Sequence, residues 1–313
     1  MTVSPSSAPN AANQAPLDSL RVVRVTGADA VDFLHGQLTH DVEKLAPGHA
    51  RLAAYCNAKG RVQATLVLWR AIDEAGAPVV YFFTQASVVE ALLKRLRMFV
   101  LRAKVVFELL DWRVSGLWAE AGAGPTAWSA EPGDTEGAVR IGAPAAAPLA
   151  WRAWQVLPSS AAPLDGDPAV WACHDIRAGL PWISAATFEL FTPLMINFDL
   201  IDGVSFTKGC YPGQEVVARS HYRGKQKRRT HRGCLALPDG IDPATLPGSD
   251  LHSPGSTEPV GRVINASACG GTLEVLFEAT FETIEADALH LGSPDGPQLT
   301  LQPLPYDPAA RSD

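Results

Sequence analysis

The chain has 313 residues, 47% of them apolar and 19% charged, with a formal net charge of −7. This is the composition of a folded globular protein of one or two domains and excludes a disordered chain. Every long apolar run is broken by Arg, Lys or Gly, which excludes a membrane-spanning helix, so no membrane partner is expected.

Residues 1–16 lack the basic start and apolar core of a signal peptide and read as a disordered tail, so a cytoplasmic protein is expected. Residues 20–25 alternate as a strand. Val31, Leu34, Leu38, Val42 and Leu45 fall at helical spacing, in a segment that Gly36 interrupts. Residues 62–69 and 79–83 are strand-like and joined by a hairpin signal. Ser87 and Glu90 form a capping box for a helix over 88–101, with Leu92, Leu93, Leu96 and Phe99 facing inward. A strand follows at 104–110. Strand-helix-strand-strand-helix-strand is the order of a split βαβ (ferredoxin-like) unit, which predicts an α+β fold.

Residues 119–150 and 158–168 are rich in Ala, Gly and Pro and read as loops or linkers. Residues 170–178 read as a helix. Beyond Arg232, short strands at 232–237, 260–266, 272–281 and 298–301, punctuated by Pro and Gly, predict a small C-terminal β-barrel. The expected division is a tail at 1–16, a main unit at 17–229 and the barrel at 230–313.

The most specific segment is Lys208-Gly209-Cys210-Tyr211-Pro212-Gly213-Gln214-Glu215, followed by Val216-Val217-Ala218-Arg219. Its glycines permit a sharp bend or a close backbone approach. Pro212 suits the first position of a helix, so Cys210 is expected just ahead of a helix N-terminus, where Lys208 and the macrodipole favour a thiolate. A buried packing cysteine is the plainer alternative.

Continued through His221-Tyr222-Arg223, this segment resembles the signature of the YgfZ family of folate-binding proteins, related to the glycine cleavage aminomethyltransferase (T-protein). Gly27 to Thr39, Ala58-Lys59-Gly60-Arg61, Arg177 to Pro181 and Thr192-Pro193 resemble further parts of that family. The resemblance implies a pseudo-duplicated folate-binding part ahead of the barrel. It also implies tetrahydrofolate or a one-carbon derivative as cofactor, and a role in iron–sulfur cluster assembly or repair with consequences for tRNA modification. In the transferases the Glu at the place of Glu215 contacts folate, and an acidic pair, one Asp of which aminomethyl transfer needs, would fall on Ala64-Thr65. Neither residue can replace a carboxylate near a reacting nitrogen. Whether the chain is an enzyme is therefore left open, with a folate-dependent one-carbon transferase as the alternative. Cys210 marks YgfZ-type proteins and is the candidate functional thiol.

A folate asks for a carboxylate at the pterin edge, apolar walls for the aminobenzoyl ring and cations for its glutamate tail. Glu215, Tyr211, Arg219 and Arg223 offer these within one stretch, with Lys208, Gln214 and Asn197 as further contacts. The expected partners are folate and iron–sulfur client or assembly proteins. Five cysteines without a CxxC pair argue against a disulfide framework and a zinc ribbon, and no metal site is expected. Residues 219–232 hold seven Arg or Lys and no acid, either a solvated face or an anion contact. Nucleic acid is the third reading, weakened because only Tyr222 among the aromatics stands in that run.

Overall fold

The computed structural model describes residues 12–310, apart from 74, 136, 159–164, 224–225 and 287, and for Arg223 only the backbone. The chain opens with β1 (Asn13–Pro16), β2 (Leu20–Thr26), α1 (Ala30–His35), β3 (Ala50–Cys56), β4 (Val62–Ile72), β5 (Pro78–Gln85), α2 (Ala86–Val100) and β6 (Val106–Leu110). Strands β2 to β6 form an antiparallel sheet in the order β3-β4-β5-β2-β6. A second antiparallel sheet, in the order β1-β7-β10-β9-β8, is built from β1 with β7 (Trp112–Ala119), β8 (Ala130–Pro132), β9 (Val139–Ala143) and β10 (Trp151–Pro158).

The first sheet is buried on both faces, which explains why residues 62–69 are a continuous buried run instead of an alternating one. Leu66 and Leu68 pack with Leu34 of α1 and with Val88 and Leu92 of α2. Val67 and Trp69 face the second sheet, where Val114, Trp154 and Val156 share their core. Each such fully buried aliphatic side chain stabilises the fold by about 1.5–3 kcal/mol.

Helix α3 (Pro168–Arg177) starts where Asp167 accepts the amide of Ala169 at 2.8 Å, with Pro168 in the first turn. An irregular stretch leads to α4 (Gln214–Arg223). The chain ends in a closed six-stranded barrel, β11-β14-β13-β12-β15-β16. Its strands are β11 (Arg228–Ala236), β12 (Asp250–His252), β13 (Pro259–Cys269), β14 (Thr272–Thr280), β15 (Leu289–Leu291) and β16 (Gln298–Gln302), with α5 (Phe281–Glu285) between β14 and β15. The barrel expected from sequence is present, with two three-residue strands too short to be read by alternation.

Several expectations are corrected. Residues 13–16 are not tail but an edge strand on β7, whereas residues 1–11 lie outside the described residues. The helical spacing of 31–45 holds only for α1, after which the chain turns and Thr39 Oγ1 takes the amide of Ala54 at 2.8 Å. Strand β3 was not foreseen. Ser87 does not cap α2: Gln85 stands at the N-cap, and the Ser87 hydroxyl accepts the amide of Ala185 at 3.1 Å. Residues 119–150, expected as linker, supply two strands of the second sheet, and most of the stretch expected as linker at 158–168 lies outside the described residues.

The barrel is fastened to the rest by paired polar contacts. Asn265 exchanges two hydrogen bonds of 2.8 Å with the backbone of Trp182, and Tyr306 donates to the carbonyl of Gly179 at 2.8 Å. Arg229 forks onto Asp199 at 2.6 and 2.9 Å.

Candidate functional site

Segment 203–213 carries no helix or strand, so its path is set by side chains. Thr39 donates to the carbonyl of Gly203 at 2.6 Å, and its own carbonyl takes the amide of Ser205 at 2.9 Å. Lys208 turns inward and donates to the carbonyls of His35 and, at 2.8 Å, Leu38. Its ammonium stands 4.9 Å from the Tyr211 ring centroid, a cation–π contact. Burial pulls the Lys208 pKa down to about 8, against the opposing pull of Asp41, Glu43 and Cys210. Tyr211 is buried as well, which pushes its phenol up.

Gly213 has φ +82, and a Cβ there would lie 2.4 Å from the Asn57 carbonyl oxygen and 2.7 Å from the Gly60 backbone. Gly60 has φ +70 and packs against Val216. The two turns meet backbone to backbone because neither carries a side chain. This arrangement corrects the expectation for Pro212: the helix begins at Gln214, behind a left-handed Gly213, and Pro212 is not its first residue. Cys210 is exposed, unlike the buried Cys56 and Cys173 and the half-buried Cys234 and Cys269.

The predicted folate contacts separate into three groups. Lys208 and Tyr211 are interior supports of the loop. Glu215 and Arg219 stand outside on α4, paired at 2.7 Å with side chains 85% and 66% exposed, and Gln214 is half-buried beside them. Asn197 is fully buried at φ +58, where its amide donates to the Thr230 carbonyl at 2.9 Å and accepts the Thr230 amide at 3.2 Å. Its polar atoms are thus committed to the barrel strand. The Arg223 side chain lies outside the described residues.

Sequence reasoning missed Asn57, Gln63 and Glu189, which complete the junction. Asn57 Oδ1 accepts the amides of Lys59 and Arg61 at 2.9 and 3.0 Å. Arg61 reaches the carbonyl of Leu190 at 2.6 Å, and the Glu189 amide donates to the Val62 carbonyl at 2.9 Å. Hydrogen bonds from Gln63 and Asn57 hold the Glu189 carboxyl below its ordinary pKa. Exposed Phe188 and Val216 flank this polar floor. A lone Gln or Glu carries no motif, and only the fold brings positions 63 and 189 together.

On the other side of Lys208, His35 Nδ1 lies 3.2 Å from Asp41, and the donor atoms of His35, Asp41 and Glu43 fall within 4.8 Å of one another. Asp41 is also bound by Lys44 at 3.0 Å. A cavity of about 550 Å³ opens next to them, lined by His40, Arg51, Asp202 and Thr207 among others.

Three arginines of the basic run are structural. Arg228 pairs with Glu278, Arg229 with Asp199 and Arg232 with Glu274. That removes three of its seven cations from any nucleic-acid face. His231 stands on the same strand as Arg229, and burial lowers its pKa to about 4, as it does for His174 on α3. A histidine held neutral in the fold binds fewer protons than in the unfolded chain, so stability falls as pH drops from about 6.5 towards 4. His174→Gln is expected to flatten that slope in urea melts across this range. An unchanged slope would show that His174 gains its proton without unfolding.

Ala64 and Thr65 are fully buried, and Thr65 Oγ1 accepts the amide of Ile183 at 3.1 Å. No carboxylate stands at either position. Trp182 lines a small cavity of about 110 Å³ with Trp171 and Asn265, and donates to Asp175 at 2.9 Å.

No family model matches the chain. An uncharacterized protein of Haemophilus influenzae is 33% identical over 213 residues, covering 68% of this chain and 70% of the relative. Among solved structures, the glycine cleavage system aminomethyltransferase T of Bartonella henselae superposes with a TM-score of 0.69. The match covers 96% of this chain and 87% of that one at 15% identity. The chain therefore has the fold of that transferase. Among the described residues, no helix is long and apolar enough to cross a membrane.

Proposed function

The chain belongs to the same family as the uncharacterized Haemophilus influenzae protein, and on that premise we propose that it binds a reduced folate at the junction of α4 with the 57–61 turn. Its role is that of an accessory protein in iron–sulfur cluster assembly or repair, acting indirectly on tRNA modification. The observation that carries this reading is convergence. The His35–Leu38 carbonyls, the Gly60 turn and the signature are far apart in sequence, yet Lys208 and Gly213 lock them together. At that junction the Glu215 carboxylate faces solvent in the first turn of α4, next to exposed Val216. A carboxylate next to apolar surface suits a pterin edge and an aromatic ring. Arg219 supplies a cation for a glutamate tail.

The fold alone would equally suit a folate-dependent one-carbon transferase. Two buried side chains without a carboxylate, Ala64 and Thr65, favour the accessory role. The strand order β6-β2-β5-β4, with β3 added at the edge, supports reading the first sheet as a split βαβ unit. The site unit is taken as 17–229 with β1 joined to its second sheet, and the barrel as 230–313 with the first two residues of β11 drawn into it, in a cytoplasmic protein whose Cys210 is the functional thiol.

Glu215→Ala is expected to weaken tetrahydrofolate binding by about 1–3 kcal/mol, because charge-assisted hydrogen bonds are left unmade. The side chain is exposed, so the fold survives the change. Equal affinity in wild type and variant, by calorimetric titration, would remove Glu215 from the site.

A further inference from the structure

Cys173 and Cys269 are far apart in sequence and adjacent in the fold. Cys173 sits on α3 with no solvent exposure, and Cys269 is the half-buried last residue of β13, at the Gly270-Gly271 hairpin. On α3, Cys173 lies between Ala169 and Arg177, the residues that contact Ser267 and Cys269, so the two thiols stand near each other. The helix is pinned to the hairpin on both sides of them. Ser267 donates to the Ala169 carbonyl at 2.9 Å, and Arg177 donates to Glu274 at 2.9 Å. The same Arg177 donates to Cys269 Sγ at 3.3 Å.

We propose that Cys173 and Cys269 form an oxidation site at which a hydroperoxide creates a disulfide between α3 and the barrel hairpin. The half-buried Cys269 is the attacking sulfur, since it is the one of the two that a small peroxide reaches. Its sulfur takes the distal oxygen of the peroxide, the O–O bond breaks, and an alcohol or water leaves with the Cys269 sulfenic acid formed. Cys173, fully buried and so out of reach of the peroxide, is the resolving partner. Its sulfur then attacks Cys269, the S–O bond breaks, and the departing hydroxide leaves as water with the Cys173 proton. The two thiols lose two electrons in all, and the peroxide gains them. The consequence is local: Trp171 and Ala172 of α3, and Asn265 and Ala266 of β13, line the same 110 Å³ cavity. A cross-link one or two residues beyond them on α3 and three or four on β13 would fix those walls relative to each other.

The test treats the full chain with stoichiometric hydrogen peroxide, blocks remaining thiols and maps the peptides by mass. The expected result is a Cys173–Cys269-linked peptide as the first intramolecular product, with a raised Tm that dithiothreitol reverses. Cys173→Ser should trap Cys269 as a sulfenic acid that dimedone labels, whereas Cys269→Ser should leave Cys173 unlabelled. Circular dichroism verifies that each variant is folded. Absence of the linked peptide while Cys269 oxidises singly would overturn the proposal, as would labelling of Cys173 in the Cys269→Ser protein.

Discussion

Arg229→Ala is expected to lower the unfolding free energy by about 3–5 kcal/mol, the cost of removing one partner from a buried ion pair. Arg229 is 4% exposed, and its two terminal nitrogens reach both oxygens of Asp199, with a third bond of 2.8 Å to the Leu194 carbonyl. Alanine would leave the Asp199 carboxylate buried without that fork, at the seam between the barrel and the segment leading into the signature. Arg229→Lys keeps the charge but loses the bidentate geometry and is expected to fall between wild type and alanine. Urea unfolding measures both. A loss below about 1 kcal/mol for the alanine variant would mean that the pair behaves as a solvent-exposed one.

Gly213→Ala is expected to cost about 2–5 kcal/mol, combining a left-handed backbone with a clash. The clash is with backbone atoms of Asn57 and Gly60, which cannot swing aside as a long side chain would. Gly240 provides the control: its φ of +77 is nearly the same, but a Cβ there meets nothing within 4 Å. Gly240→Ala should therefore show only the backbone penalty, about 1 kcal/mol. Equal losses at the two positions would mean that the 57–60 turn gives way, and that the signature is not locked on it.

What the sequence made legible follows from how local each signal is. The signature was visible because eight adjacent residues carry it, and the barrel because Pro and Gly punctuate its strands. The second sheet was hidden by composition, since Ala, Gly and Pro dominate 119–150 and burial comes from Trp residues packed against a different sheet. The capping box at Ser87 failed because a distant amide, that of Ala185, claimed the hydroxyl. Asn197 looked like a ligand contact by proximity in sequence, but its left-handed backbone turns the amide towards Thr230. The arginines of the basic run could not be told from a solvated face, because Asp199, Glu274 and Glu278 lie 30 or more positions away from their partners.

Folate binding at the signature is tested most directly by alkylation of Cys210 in the presence and absence of saturating tetrahydrofolate. The thiol is the exposed one of the five and lies five residues ahead of Glu215. Bound folate is expected to slow iodoacetamide labelling of Cys210 several-fold while Cys234 and Cys269 react at unchanged rates. Unchanged labelling of Cys210 at a folate concentration that calorimetry shows to be saturating would place the ligand elsewhere, and no heat of binding at any concentration would contradict the folate site itself.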